Sequence, residues 1–195
     1  MTRLPALAPA DLDDQQRVLY DAIAGGPRAA GPRVFALTDA EGRLNGPFNA
    51  MLFAPEVGAA LLELGAAIRY RSSLTARIRE MAILAVAAHW DSAFERYAHE
   101  AVGRSAGLTD GELRSLRDGE PPRLDDPAEQ AALAVVRALL ADGDVADPLF
   151  QRAASLIGNQ AVVELTSLVG YYATLALQLR VFRVGLPAEL PGEPA

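Results

Sequence analysis

The sequence predicts an all-α bundle of about seven or eight helices. Three observations support this. Apolar residues recur at helical spacing, as in Val57, Leu61, Leu64 and Ile68. No segment alternates apolar and polar residues over strand length. Capping and breaking residues divide the chain into helix-sized pieces. With 195 residues, 51% of them hydrophobic, the chain can bury a full core and fits one domain, 1–195. Within it, residues 46–187 read as a helical core and residues 1–45 as an N-terminal helix and a long loop.

Asp11, after Pro9, is a candidate cap for a first helix that runs to about Ala24, where Gly25, Gly26 and Pro27 stop it. Residues 26–47 carry Pro and Gly at short intervals, with an apolar patch at 34–37 and a turn signal at 39–42. They read as a long loop, with room for a short hairpin, and a loop of this length is a candidate lid. Short helix 48–53 follows, then a helix from Pro55 to Tyr70. The centre of the next helix, 74–90, is apolar on every side, which marks a buried helix. Residues 92–106 end at Gly107, and Thr109 with Glu112 gives the capping-box pattern for a helix at 109–117. Pro121 and Pro122 interrupt the chain before helices at 127–142, 147–157 and 160–184. Residues from Pro187 read as a frayed tail. The last helix is apolar over more than one face, so it either crosses the centre of the domain or packs on a second subunit.

Composition removes several chemistries. A net charge of −7, spread along the chain, gives no basic stripe for nucleic acid. Neither a membrane span nor a leader sequence is apparent, which points to a cytoplasmic protein. There is no cysteine, so thiol nucleophiles and thiolate metal sites are excluded. All eighteen basic residues are arginine, so no lysine is present to form a Schiff base. Proton-transfer candidates therefore centre on carboxylates and on the two histidines, His89 and His99.

Glu80 opens the apolar run of its helix and lies near Leu84 and Ala87 on the wheel. Burial there is expected to raise its pKa, as suits a proton-transfer group. The structural alternative is an ion pair with Arg77 or another arginine at a helix boundary. In the next helix Ala93, Phe94, Tyr97, Ala98, Ala101 and Val102 define an apolar stripe, with Glu95 and His99 as i, i+4 neighbours at its edge. A histidine beside a carboxylate is a candidate general acid or base. The alternatives are a capping box, Ser92-x-x-Glu95, and a satisfied polar histidine at the stripe edge. His89 lies about 180° from Glu80 on the wheel, and no metal-ligand spacing is present, so no metal is expected. Trp90 reads as a packing anchor. Glu80 sits eleven residues before the turn at Asp91, and His99 eight after it. An antiparallel pairing of the two helices is thus expected to bring Glu80 and His99 to a shared cavity.

The stretches 79–87 and 90–99, followed by Ala106-Gly107-Leu108-Thr109 and Glu112, resemble the helical hairpin shared by carboxymuconolactone decarboxylases and alkylhydroperoxidase D-like proteins. Glu80 and His99 match the glutamate and histidine of the peroxidase branch, while Ser92 and Glu95 stand at its two cysteine positions. Gly46-Pro47-Phe48-Asn49, Glu95-Arg96-Tyr97-Ala98-His99, Leu168-Val169-Gly170-Tyr171-Tyr172 and Leu186-Pro187 are similar to the decarboxylase branch. The resemblance implies the alkylhydroperoxidase D-like bundle and a helical homo-oligomer with sites near subunit contacts. It also implies a cofactor-independent lyase or isomerase acting on a small oxygenated lactone or enol carboxylate. His99 is then the proton donor and acceptor, with Glu80 and Glu95 orienting it. Arg79, Arg96, Trp90, Tyr97 and Asn49 are the substrate-binding candidates. The alternative is a non-catalytic oligomeric binding or scaffold protein of the same fold.

Overall fold

The computed structural model describes residues 2–26 and 36–186. They fall into two compact units, 1–64 with 177–195, and 65–176. The regular structure of the described residues is helical, with a single antiparallel bridge between Thr38 and Leu44 in place of any sheet. The all-α expectation therefore holds. Residues 27–35, which include half of the expected apolar patch at 34–37, and the tail from Pro187 lie outside the described residues.

In the first unit a short 3-10 turn, Pro9–Asp11, precedes α1, Asp14–Ala24. The cap is Asp13 rather than Asp11, because Asp11 is taken up by the turn that Pro9 starts. Asp13 and Gln16 complete a reciprocal capping box: Gln16 N–H donates to Asp13 (2.8 Å), and Asp13 N–H donates to Gln16 (3.1 Å). The turn signal at 39–42 is real, closed by the Arg43 backbone N–H and guanidinium on Asp39. Helix α2, Phe48–Met51, follows, and α3, Pro55–Tyr70, begins in this unit.

The second unit is built around α4, Ala76–His89, whose Met81, Ala82, Ile83, Leu84, Val86 and Ala87 are all buried. Each larger apolar side chain contributes roughly 1.5–3 kcal/mol through burial, so this helix anchors the unit. The helix starts later than expected because Thr75 caps it, accepting from Ile78 N–H (3.2 Å). Helix α4 packs against α5 (Ala93–Ser105), α6 (Asp110–Arg117) and α7 (Pro127–Asp142). The expected Thr109–Glu112 capping box forms on α6. Arg77 ties these helices together by donating to Glu129 and Glu112, both at 2.7 Å, and to the Gly107 carbonyl.

Helix α8, Asp147–Val181, runs through both expected segments, with its backbone broken at Gly158 (φ 82°, ψ 156°). A left-handed φ of that kind suits glycine, which lacks the Cβ that would clash. Its 18-residue apolar window is long enough to cross a membrane, but half of it is buried inside the protein. That burial is the behaviour of a core helix, as one of the two expected readings required. Val163, on the same helix, is 65% exposed.

Candidate active site

Helix α4 aims Glu80 into the interior of the second unit, where it is fully buried. A buried carboxylate without partners would cost several kcal/mol, so partners must follow it inward. His99 on α5 supplies the first, with Nδ1 2.7 Å from Glu80 Oε2. The two residues touch directly, with no cavity between ring and carboxylate. Arg79 donates from Nε to the other Glu80 oxygen at 3.4 Å. Of the arginine pairings open to Glu80, Arg77 is committed to Glu112 and Glu129, and Arg79 is the arginine that pairs with it.

Two further partners were not legible as site residues. Arg69, near the end of α3, is a buried guanidinium whose Nε has no hydrogen-bond partner. Burial works against its charge, but the Tyr172 hydroxyl and the Glu80 carboxylate outweigh that effect and hold its pKa above the usual arginine value. Tyr172, on α8, places its ring edge-on to His99, with centroids 5.2 Å apart, and packs edge-on to Tyr171 at 5.1 Å. Gly65 allows the close packing here: a Cβ at that position would sit 2.3 Å from the Tyr171 hydroxyl.

These charges reverse the expected direction of the Glu80 shift. Burial alone would raise its pKa, yet the His99 hydrogen bond and charge, with Arg69 and Arg79, hold it below the usual carboxylate range. Glu80 is thus an ionised acceptor, and the hydrogen at the 2.7 Å contact belongs to His99 Nδ1. In the neutral ring Nε2 is then the basic nitrogen.

Helix α5 buries Phe94, Glu95, Ala98, His99 and Gly103, whereas Ala93 and Ala101 are exposed. Glu95 and His99 therefore lie within the buried face rather than at its edge. The stripe was misplaced because alanines fill an apolar wheel while contributing little buried area. The Ser92–Glu95 capping box is also absent. Ser92 occupies the N-cap position without a side-chain cap, and both Glu95 oxygens are buried without a hydrogen-bond partner. Burial pushes the Glu95 carboxyl up to about 8, against a smaller opposing effect of the Ser92 hydroxyl. The group with the raised pKa is thus Glu95, not Glu80.

The remaining candidates are spread more widely. Arg96 donates to Asp91 at 2.9 Å, across the turn that joins α4 to α5. Trp90 ends α4 with its ring edge-on to His89, 5.4 Å between centroids, and its Nε1 is buried without a partner. Tyr97 is half-buried. Asn49 belongs to the first unit, where its amide bridges the backbone of Leu7 and Pro5, each at 3.0 Å. Cavities of about 400 and 500 Å³ in the second unit are lined by residues such as His89 and Arg137, and Ser73 and Glu129. Neither is lined by Glu80 or His99.

The buried glutamate–histidine pair thus sits on the α4–α5 hairpin of a helical bundle. Residues 55–138 match the model of the carboxymuconolactone decarboxylase family. No curated protein matches the chain in sequence. Among solved structures, the chain resembles an uncharacterized peroxidase-related protein from Silicibacter sp. TM1040, with a TM-score of 0.73 at 16% identity, covering 98% of this chain and 95% of that one. It resembles an alkylhydroperoxidase AhpD core protein from Ralstonia eutropha JMP134 with a TM-score of 0.72 at 15% identity, covering 96% and 93%. A debrominase, Bmp8, in complex with 2,3,4-tribromopyrrole gives a TM-score of 0.68 at 12% identity, covering 96% and 93%. At these identities the likeness establishes the fold. With no cysteine in the chain, disulfide-linked peroxide reduction has no group to carry it here.

Proposed function

We propose that this protein is a cofactor-independent lyase or isomerase that moves protons on a small lactone or enol carboxylate. The observation that carries this reading is the buried contact of His99 with an ionised Glu80. Glu80 fixes the tautomer and orientation of the ring, and His99 Nε2 exchanges the proton with substrate carbon. Loss of carbon dioxide, or a proton shift beside a carbonyl, passes through an enolate-like species. Such a species needs a proton donor for carbon and hydrogen-bond donors for oxygen. Arg79, which remains partly exposed beside Glu80, is the cation suited to the substrate carboxylate.

The test is incubation of the purified protein with carboxymuconolactone in deuterium oxide. Carbon dioxide release, with one deuterium delivered to a single face of the product carbon, is the expected result. Absence of both release and enzyme-dependent exchange, over this lactone and its enol-lactone product, would overturn the reading.

The protein is also proposed to act as a homo-oligomer. Within the second unit Phe150, Leu156 and Val163, all on α8, leave apolar surface in water. Sedimentation is expected to show an assembly larger than one chain, and a stable monomer at micromolar concentration would contradict this.

A further inference from the structure

Three polar groups around the α4–α5 turn are buried and unpaired: the Trp90 indole N–H, the Ser92 hydroxyl and both oxygens of Glu95. The Glu80–His99 contact uses none of them. Each would ordinarily find a partner, because a buried unsatisfied polar group costs about 1–3 kcal/mol. Ser92 is the sharpest anomaly. It occupies an N-cap, where a serine hydroxyl normally accepts from the helix backbone, yet it makes no such bond. The residue before it, Asp91, has a left-handed backbone (φ 49°), so the turn that carries Ser92 is held in an uncommon conformation. A fold that leaves a serine and a carboxyl, three residues apart at the start of one helix, with at most each other as partners presents hydrogen-bonding groups to a ligand.

We propose that Glu95, with the Ser92 hydroxyl beside it, is the catalytic acid that hydrogen-bonds the carbonyl oxygen of the substrate, working one helical turn from His99 on the same buried face of α5. This rests on the proton-transfer reading above and assigns the second half of the reaction. The surroundings of Glu95 fit an acid that keeps its proton. Glu80, facing α5 from α4, is bound to His99 and Arg79, and Glu112 on α6 is bound to Arg77. None of these charges contributes to the Glu95 shift, which comes from burial and Ser92 alone. As the bond from carbon to the departing carboxylate breaks, its electron pair enters the new carbon–carbon double bond, and the lactone carbonyl electrons move onto oxygen. That oxygen takes the Glu95 proton, giving an enol and a Glu95 carboxylate. Protonated His99 then gives its Nε2 proton to carbon, the enol returns its proton to Glu95, and one proton is consumed for each carbon dioxide released. In an isomerisation the first step is instead removal of a carbon-bound proton by His99.

Infrared difference spectroscopy on the intact protein tests this without needing turnover. In the wild type, the carbonyl band of a protonated carboxylic acid is expected at neutral pH, disappearing as pH rises through about 8, and absent in Glu95→Gln. A Glu95 that is ionised at neutral pH overturns the proposal. With a 2-furanone carboxylate as probe, the lactone carbonyl stretch is expected to shift down on binding the wild type and to shift less in Glu95→Leu. An equal shift in both proteins, or no binding of the probe to wild type, also overturns it. Failure of the proton-transfer reading is distinguishable, since it shows as no carbon dioxide release or exchange by the wild type and leaves the pH dependence of the carboxylic acid band intact.

Discussion

His99→Ala is expected to lose about 10²–10⁴-fold in kcat, the usual contribution of general acid–base catalysis, while the protein stays folded. The ring donates to a Glu80 carboxylate that the surrounding arginines also hold ionised. Removing the ring leaves that carboxylate with Arg79 and the charge of Arg69, so the variant loses stability on the scale of one buried charge-assisted hydrogen bond, about 1.5–3 kcal/mol. Turnover, far-ultraviolet circular dichroism and the melting midpoint should therefore separate: a large loss in the first, little change in the second, a moderate fall in the third. Glu80→Gln is a finer probe, because it keeps the shape but no longer selects the Nδ1 tautomer. Its kcat should fall without complete loss. Wild-type turnover in His99→Ala would remove His99 from the mechanism.

The second large effect concerns stability against pH. The Glu95 carboxyl rises from its ordinary 4.5 to about 8 in the folded protein, so between those values the folded state holds a proton that the unfolded chain releases. Its contribution is fully present below about 4.5, falls as pH rises through the window, and levels off above about 8. Integrated over the window this amounts to roughly 5 kcal/mol. Glu80 acts in the opposite sense, since its lowered pKa gives stability that is present above the ordinary carboxylate value and lost as pH falls through the folded one. Urea unfolding at a series of pH values should show wild-type stability falling across the Glu95 window, and Glu95→Gln should flatten that fall. Parallel curves for the two proteins would mean that Glu95 ionises normally in the folded state.

The helices were legible where sequence signals agreed. The α3 and α7 spans match expectation because a proline opens each and the apolar residues keep helical period. Boundaries slipped where several residues could do the same work. Asp11 and Asp13 are both candidate caps, and only Asp13 has a glutamine at the reciprocal position. The pairing of Glu80 with His99 was legible because both lie on one hairpin, at similar distances from its turn. The direction of the Glu80 shift was missed because the His99 hydrogen bond and charge, joined by Arg69 and Arg79, outweigh burial, and Arg69 lies on another helix with nothing in its local pattern to mark it. Glu95 illustrates the opposite error: its spacing from Ser92 fits a cap, and only the three-dimensional arrangement shows the carboxyl turned into the interior.

The separation of Glu80 from His99 is only nineteen residues. Closing a loop that short costs little chain entropy, and the two helices that close it form their contacts early and locally. The pair is therefore a self-contained module, completed once the α4–α5 hairpin docks. Positions 92 and 95 lie inside that loop but take no part in the contact that closes it. The side chains at those two positions can change without rebuilding the Glu80–His99 pair. Such a hairpin separates a fixed contact from a turn of helix that is open to exchange.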